Sequence, residues 1–228
     1  GHPPRTGHGM GPVKTAILIS GRGSNMQALI DAAADPEFPA EIVRVISNVP
    51  GAGGLDRAAR AGIPTAAIDH RDFDGRAPFE DALQTDLITA GAELICLAGF
   101  MRLLTEDFVN RWYNRMLNIH PSLLPAYKGL QTHERVLEDG VRFTGCTVHF
   151  VRPAMDAGPI VVQAAVPVVP SDDADTLAAR VLLAEQRCYP HALRLVADGK
   201  TSIVDETVRI AGASGPTGIT LNPDDGQS

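Results

Sequence analysis

The run Ser20-Gly21-Arg22-Gly23-Ser24-Asn25 follows a short apolar stretch and opens a helical pattern. Glycines permit a tight turn there, and the N–H groups at a helix start, at the positive end of its dipole, can seat a phosphate. Two familiar nucleotide loops are excluded. A dinucleotide fingerprint needs Gly or Ala where Met26 stands, and an acidic residue after the second strand where the chain has Ser47-Asn48. A Walker A loop needs Gly-Lys-Ser/Thr, which is absent. A loop this short suits a monophosphate better than a pyrophosphate. A purely structural turn satisfies the same pattern.

A second stretch, Asn118-Ile119-His120-Pro121-Ser122-Leu123-Leu124-Pro125, follows another apolar run. Strand alternation puts Asn118 and His120 on one side. An amide donor beside an imidazole is what an oxyanion site requires, the amide giving a neutral hydrogen bond and a protonated ring adding charge. A strand-end histidine also commonly packs or caps. In Met155-Asp156-Ala157-Gly158-Pro159 the aspartate has the usual context of a turn former. Its functional reading is that Asp156 folds back to pair with His120 and helps move protons. A fourth stretch, Leu97-Ala98-Gly99-Phe100-Met101-Arg102-Leu103-Leu104 with Val109 beyond, starts as a buried strand and passes into a Gly turn. Its apolar backbone could accept a flat ligand with hydrogen-bonding ring edges, or simply feed the next helix.

Competing chemistries have weaker signals. His120, His133, His149 and Asp156 are ligand types, but none has the His-x-x-x-His or His-Glu-x-x-His spacing that sets two ligands on one helical face, so no metal is expected. His149 lies in a strand pattern and reads as a satisfied core residue. A nucleophilic serine is disfavoured, since Gly-x-Ser-x-Gly is absent and neither Ser24 nor Ser122 has a base nearby in sequence.

The elements that must position these residues are legible as alternating patterns. Apolar runs at 16–20, 42–47, 65–68, 94–98 and 116–119 read as strands, and 25–34, 55–61, 78–90 and 105–111 as helices. Strands apolar throughout and separated by helices imply a doubly wound, mostly parallel α/β sheet, which binds ligands at the carboxyl ends of its strands. The loops after Ser20, Ala98 and Ile119 are therefore where chemistry is expected. A helix over 132–139 then precedes two β-rich runs, 144–151 and 159–168, which predict an antiparallel C-terminal extension. A long helix over 174–197 ends at Asp198-Gly199 as an αL cap would, and 201–210 suits a small hairpin.

The 228 residues carry 20 Lys+Arg against 27 Asp+Glu, a net charge of −7, which argues against a general nucleic-acid footprint. Cys96, Cys146 and Cys188 are too scattered for a disulfide framework or zinc quartet, and the longest apolar run, 94–101, is too short to cross a bilayer. A cytoplasmic protein without membrane partners is expected. One domain over 13–211 is expected, with a phosphate-binding half to about 115 and a catalytic half from 116. Residues 1–12 read as a disordered arm and 212–228 as a flexible tail.

Four co-linear motifs together resemble the folate-dependent formyltransferases. They are Ile17-Leu18-Ile19-Ser20-Gly21-x-Gly-Ser-Asn, Leu97-Ala98-Gly99-Phe100-Met101-Arg102, the Asn118–Pro125 stretch, and Gly145-Cys-Thr-Val-His-Phe-Val with Asp156-Ala-Gly-Pro. The resemblance covers about 15–208 and implies a Rossmann-like formyltransferase fold. It implies that Asn118, His120 and Asp156 are catalytic, that Gly23, Ser24 and Asn25 hold a substrate phosphate, and that Glu185 meets the ribose. Arg76 would lie near the folate tail. Leu97, Met101, Arg102, Leu103, Leu104 and Val109, with Asn118, would line the folate site. Gln131 departs from the family pattern, which places a His there. The implied reaction is formyl transfer from 10-formyltetrahydrofolate to the amino group of glycinamide ribonucleotide, without metal, in a monomer or homodimer. Transfer to initiator tRNA would call for a further C-terminal domain, and the related formyltetrahydrofolate hydrolase for an N-terminal one, for which this length leaves no room. A hydrolase and a non-catalytic phosphometabolite sensor are the alternatives.

Overall fold

The computed structural model describes residues 11–227. Of the arm expected over 1–12, all but Gly11 and Pro12 lies outside the described residues. Five strands, β1 (Val13–Ile19), β2 (Ala40–Ser47), β3 (Thr65–Ala67), β4 (Leu94–Leu97) and β5 (Met116–His120), pair in parallel. Two more, β6 (Phe143–Phe150) and β7 (Ile160–Pro167), extend the sheet antiparallel, giving the order β3-β2-β1-β4-β5-β6-β7. A separate hairpin, β8 (Thr201–Val204) and β9 (Thr207–Ile210), follows. This is the doubly wound sheet with an antiparallel extension that the sequence predicts.

Alternation along the buried strands divides the core into two layers. Ile17, Ile19, Cys96, Leu117 and Ile119 face α1 (Ser24–Ala33), α2 (Gly53–Arg60) and α6 (Ala174–Ala197). Ala16, Leu18, Ile95, Leu97 and Met116 face α3 (Arg76–Thr89) and α4 (Glu106–Arg111), through Phe79, Leu83, Leu87, Phe108 and Trp112. Burial on both faces is why these strands are apolar throughout rather than alternating.

Helix ends follow local chemistry. Asp173 and Thr176 form a reciprocal capping box at the start of α6. At its other end Gly199 (φ 70°) takes the left-handed turn, its N–H donating to Val196 and that of Lys200 to Leu195, a Schellman pair. Predicted and observed bounds of this helix coincide, although Pro190 lies inside it. Elsewhere they differ by a few residues. The helix expected at 78–90 begins at Arg76, and a 3₁₀ turn at His70–Asp72 has no sequence signal, since Asp69 forms it by accepting from the Arg71 N–H. The C-terminal segment from 211 is exposed for almost all of its length but is pinned at Asn222, whose amide donates to the carbonyls of Arg142 and Val168.

The sheet order also fixes where ligands can go. The chain builds outward from β1 to β3 and then returns to lay β4 against the other side of β1. The connections after β1 and β4 thus leave in opposite directions and open a crevice at the carboxyl ends of these strands.

Candidate active site

Beside this crevice, the end of β5 carries Asn118 and His120. They share the parity of Met116, whose side chain faces the α3/α4 layer, so both project from that face. The antiparallel register places Asn118 opposite His149 and His120 opposite Thr147, gathering four polar side chains on one surface of β5 and β6. His120 is 7% exposed. Its Nε2 lies 2.8 Å from the Tyr127 carbonyl oxygen, to which it donates, and its Nδ1 lies 3.5 Å from Asp156 Oδ1. The ring thus has a hydrogen-bond acceptor on each side.

Both partners of His120 are themselves held. Tyr127 belongs to the loop after β5, where the Ser122 hydroxyl donates to the carbonyls of Ala126 and Tyr127. The Thr147 hydroxyl ties the same loop to β6, donating to Ser122 O and accepting from Leu124 N–H. The Leu124–Pro125 peptide of this loop is cis. Asp156 sits in the β6–β7 connection with φ 50°, and its Oδ2 accepts from the Gly129 N–H at 2.7 Å. The approach is close at Gly158, where a Cβ would stand 1.9 Å from the Phe150 carbonyl oxygen, so only glycine fits. The carboxylate that in sequence resembles a turn former therefore reaches the sheet end and faces the imidazole.

Around this pair lie groups with unspent hydrogen-bonding capacity. Among the described residues the Asn118 side chain, half-buried, makes no hydrogen bond. His149 is 2% exposed. Its Nδ1 donates to the Phe150 carbonyl at 2.9 Å, while Nε2 has no partner, so it is not the satisfied core residue its strand pattern suggests. Burial holds its imidazole below the usual range, and the charges of Asp156 and His120 both act on it. His133, on α5 (Thr132–Asp139), likewise has a buried Nδ1 without a partner and an imidazole lowered by burial. Gln131 is the left-handed residue before α5 and gives that helix no side-chain cap. Among the described residues no group of three or more His, Cys, Asp or Glu is arranged to hold a metal ion.

The predicted phosphate loop lies at the end of β1. Gly23 adopts φ 74° and starts α1, whose first turn has neither a side-chain cap nor an acidic residue. The amides of Ser24 and Asn25 thus begin a helix with no acidic residue of its own at its positive end. The loop is braced from α2 by the Gly54 N–H donating to Gly21 O at 3.0 Å. Asn25 Nδ2 donates to Glu185 Oε1 of α6 at 3.2 Å, and Asn25 Oδ1 is buried without a partner. Burial pushes the Glu185 carboxyl up to about 7, more than the Asn25 bond draws it down.

The predicted folate residues divide by burial. Leu97, at the end of β4, and Val109, in α4, pack with Leu104 in one apolar cluster. Met101 and Leu103 are 66% and 64% exposed, an uncommon pair of bare apolar side chains on one short loop. Arg102 is half-buried, and Arg76 stands exposed at the first residue of α3, with no hydrogen bond or ion pair joining it to the other members among the described residues.

A crevice at the β1/β4 switch, with a glycine loop on one side and Asn118, His120 and Asp156 on the other, is a candidate ligand site of the α/β class. The match of residues 13–193 to the formyl transferase family makes that class specific, and the chain belongs to this family. It is 53% identical over 191 residues to the trifunctional purine biosynthetic protein adenosine-3 of Gallus gallus, covering 84% of this chain and 19% of that protein. The chain spans 14% to 19% of the length of the trifunctional relatives it matches. It is 41% identical over 203 residues to the phosphoribosylglycinamide formyltransferase of Haemophilus influenzae, covering 89% and 96%. Among solved structures, glycinamide ribonucleotide transformylase 1 from Symbiobacterium toebii superposes with a TM-score of 0.85 at 44% identity, covering 87% of this chain and 94% of that one.

Proposed function

We propose that this protein transfers the formyl group of 10-formyltetrahydrofolate to the amino group of glycinamide ribonucleotide, a step of purine biosynthesis. The relatives named for this reaction support the reading. The observation that carries it is the approach of Asp156 to within 3.5 Å of His120, beside an Asn118 amide that makes no hydrogen bond among the described residues. These groups serve one event, the growth of negative charge on a carbonyl oxygen under attack by an amine.

The Asn118 amide and the cationic His120 ring meet the formyl oxygen as it gains charge. At 3.5 Å the Nδ1–Asp156 contact is longer than a charge-assisted hydrogen bond, so the same N–H can turn toward that oxygen while the carboxylate holds the ring's charge. Asp156 then accepts the proton that the attacking amine sheds and passes it toward the leaving nitrogen. Gly23, Ser24 and Asn25 bind the ribonucleotide phosphate, and Glu185 accepts from the ribose hydroxyls. Leu97, Leu104 and Val109 floor the folate site, Met101, Arg102 and Leu103 cover it, and Arg76 meets the glutamate tail. Orienting two substrates against each other supplies a large part of the acceleration without a metal or a covalent enzyme intermediate. Among the described residues no helix is long and apolar enough to cross a membrane. A cytoplasmic site of action, where Cys96, Cys146 and Cys188 stay reduced, is part of the proposal.

The test is incubation with 10-formyltetrahydrofolate, with and without glycinamide ribonucleotide, following deformylated folate. Turnover only with the ribonucleotide is expected. Turnover without it would mean hydrolysis, and none in either case would mean a binding module.

A further inference from the structure

We infer that Ser20 is a positioning residue that sets the folate loop against the phosphate loop; this rests on the proposed reaction. Ser20 is the first residue after β1, immediately before Gly21. Its hydroxyl donates to Asn48 Oδ1 at 2.5 Å and accepts from the backbone N–H of Met101 at 2.8 Å. Asn48 is 3% exposed and immediately follows β2. Its N–H donates to Ile19 O at 3.4 Å, and its Nδ2 lies 3.3 Å from His70 Nδ1. One small side chain therefore joins the ends of β1, β2 and β4.

The loop between β4 and α4 is tethered by few hydrogen bonds. Ala98 N–H is bonded to Leu18 O, and Thr105 N–H to Glu80 Oε2. Between these two anchors, among the described residues, the Met101 N–H to Ser20 bond is the single hydrogen bond made by residues 99–104. Phe100 and Leu104 pack against the α3/α4 layer, but Met101 and Leu103, on either side of Arg102, are exposed and contribute little packing. The polarity of the link is also fixed. A backbone N–H can only donate, so the Ser20 oxygen must accept from Met101 while its proton goes to Asn48. Buried Asn48 has no bulk water to take over that bond. The residue that begins the phosphate loop thus holds the midpoint of the loop proposed to bind folate, and loss of its hydroxyl frees that loop without removing any group that touches substrate.

The test is steady-state kinetics of Ser20→Ala, Ser20→Thr and Asn48→Ala, with ribonucleotide affinity measured separately by calorimetry. Loss of one intramolecular hydrogen bond corresponds to about a 5- to 10-fold effect. Ser20→Ala is expected to raise the folate KM by that factor, with kcat at saturating folate within about twofold and ribonucleotide Kd unmoved. Ser20→Thr, which keeps the hydroxyl, is expected to restore the folate KM. Should Ser20→Ala not fold, Asn48→Ala, which frees the hydroxyl from its far side, is expected to raise the folate KM in the same direction. An unchanged folate KM in the alanine variants, or a rise in ribonucleotide Kd as large as the rise in folate KM, would overturn the inference. Wild-type protein in the same assay separates the two levels. No transfer by wild type removes the proposed reaction, whereas transfer with a Ser20-independent folate KM removes only the strut.

Discussion

Among the described residues Asn118 has an amide with no hydrogen-bond partner, so its truncation should act on the reaction and hardly on the fold. Asn118→Ala is expected to lower kcat on the order of 10²–10³, as removal of one oxyanion donor does, with an unchanged melting temperature. Normal turnover would remove its role. Glu185 gives a pH signature. Burial raises its folded pKa to about 7 from an ordinary value of 4.5, so the folded state binds the proton more tightly than the unfolded one. Stability then falls as pH rises from about 4.5 to about 7, and the loss is complete above that. Glu185→Gln, neutral throughout, is expected to gain in melting temperature over wild type at pH 8 but not at pH 4, and to bind the ribonucleotide more weakly. A difference in melting temperature that does not change with pH would contradict this. At this scale Asn118, His120 and Asp156 stand out as candidates because few residue types perform such chemistry and because the family resemblance names them together. The orphaned Nε2 of His149 was not legible, since it follows from the cross-strand register that sets His149 opposite Asn118.

Among the elements, the β1–α1 connection makes the sharpest prediction. An uncapped helix start with no acid in its first turn is a favourable place for an anion, and an added carboxylate would occupy it. Ser24→Asp is expected to weaken ribonucleotide binding by about tenfold or more, while folate affinity, measured by fluorescence without the ribonucleotide, stays within about twofold. Unchanged ribonucleotide affinity would detach the phosphate from this loop. The loop was readable because glycines between a strand and a helix leave few other conformations. Boundaries set by tertiary pairing were less so. β1 starts at Val13 rather than 16 because Val13 pairs with Ala40 and its N–H donates to Pro39, neither of which leaves a local pattern.

For the molecule as a whole, α6 ties the two halves of the site together. It presents Glu185 to Asn25 and, four residues on, the fully buried Tyr189, whose hydroxyl donates to Leu97 O at 2.7 Å and lies 3.2 Å from Leu117 O. Tyr189→Phe leaves the Leu97 and Leu117 carbonyls short of a donor and is expected to cost about 1–2 kcal/mol in urea unfolding. No loss would show that the bond is not needed to hold β4 and β5 in place. The doubly wound topology was legible from the alternation of apolar runs and helices, whereas the meeting of residues 120 and 156 was one of two readings of Asp156, the other a plain turn, because sequence separation says nothing about where a loop returns. That meeting is the centre of the account. Its most direct test is a crystal structure with a folate analogue bearing a carbonyl in the formyl position and with the ribonucleotide bound. The predicted result is that carbonyl oxygen within hydrogen-bonding distance of both the Asn118 amide and the His120 ring, with the phosphate on the amides of Gly23, Ser24 and Asn25. A carbonyl held by other side chains, or a phosphate bound away from that turn, would contradict it.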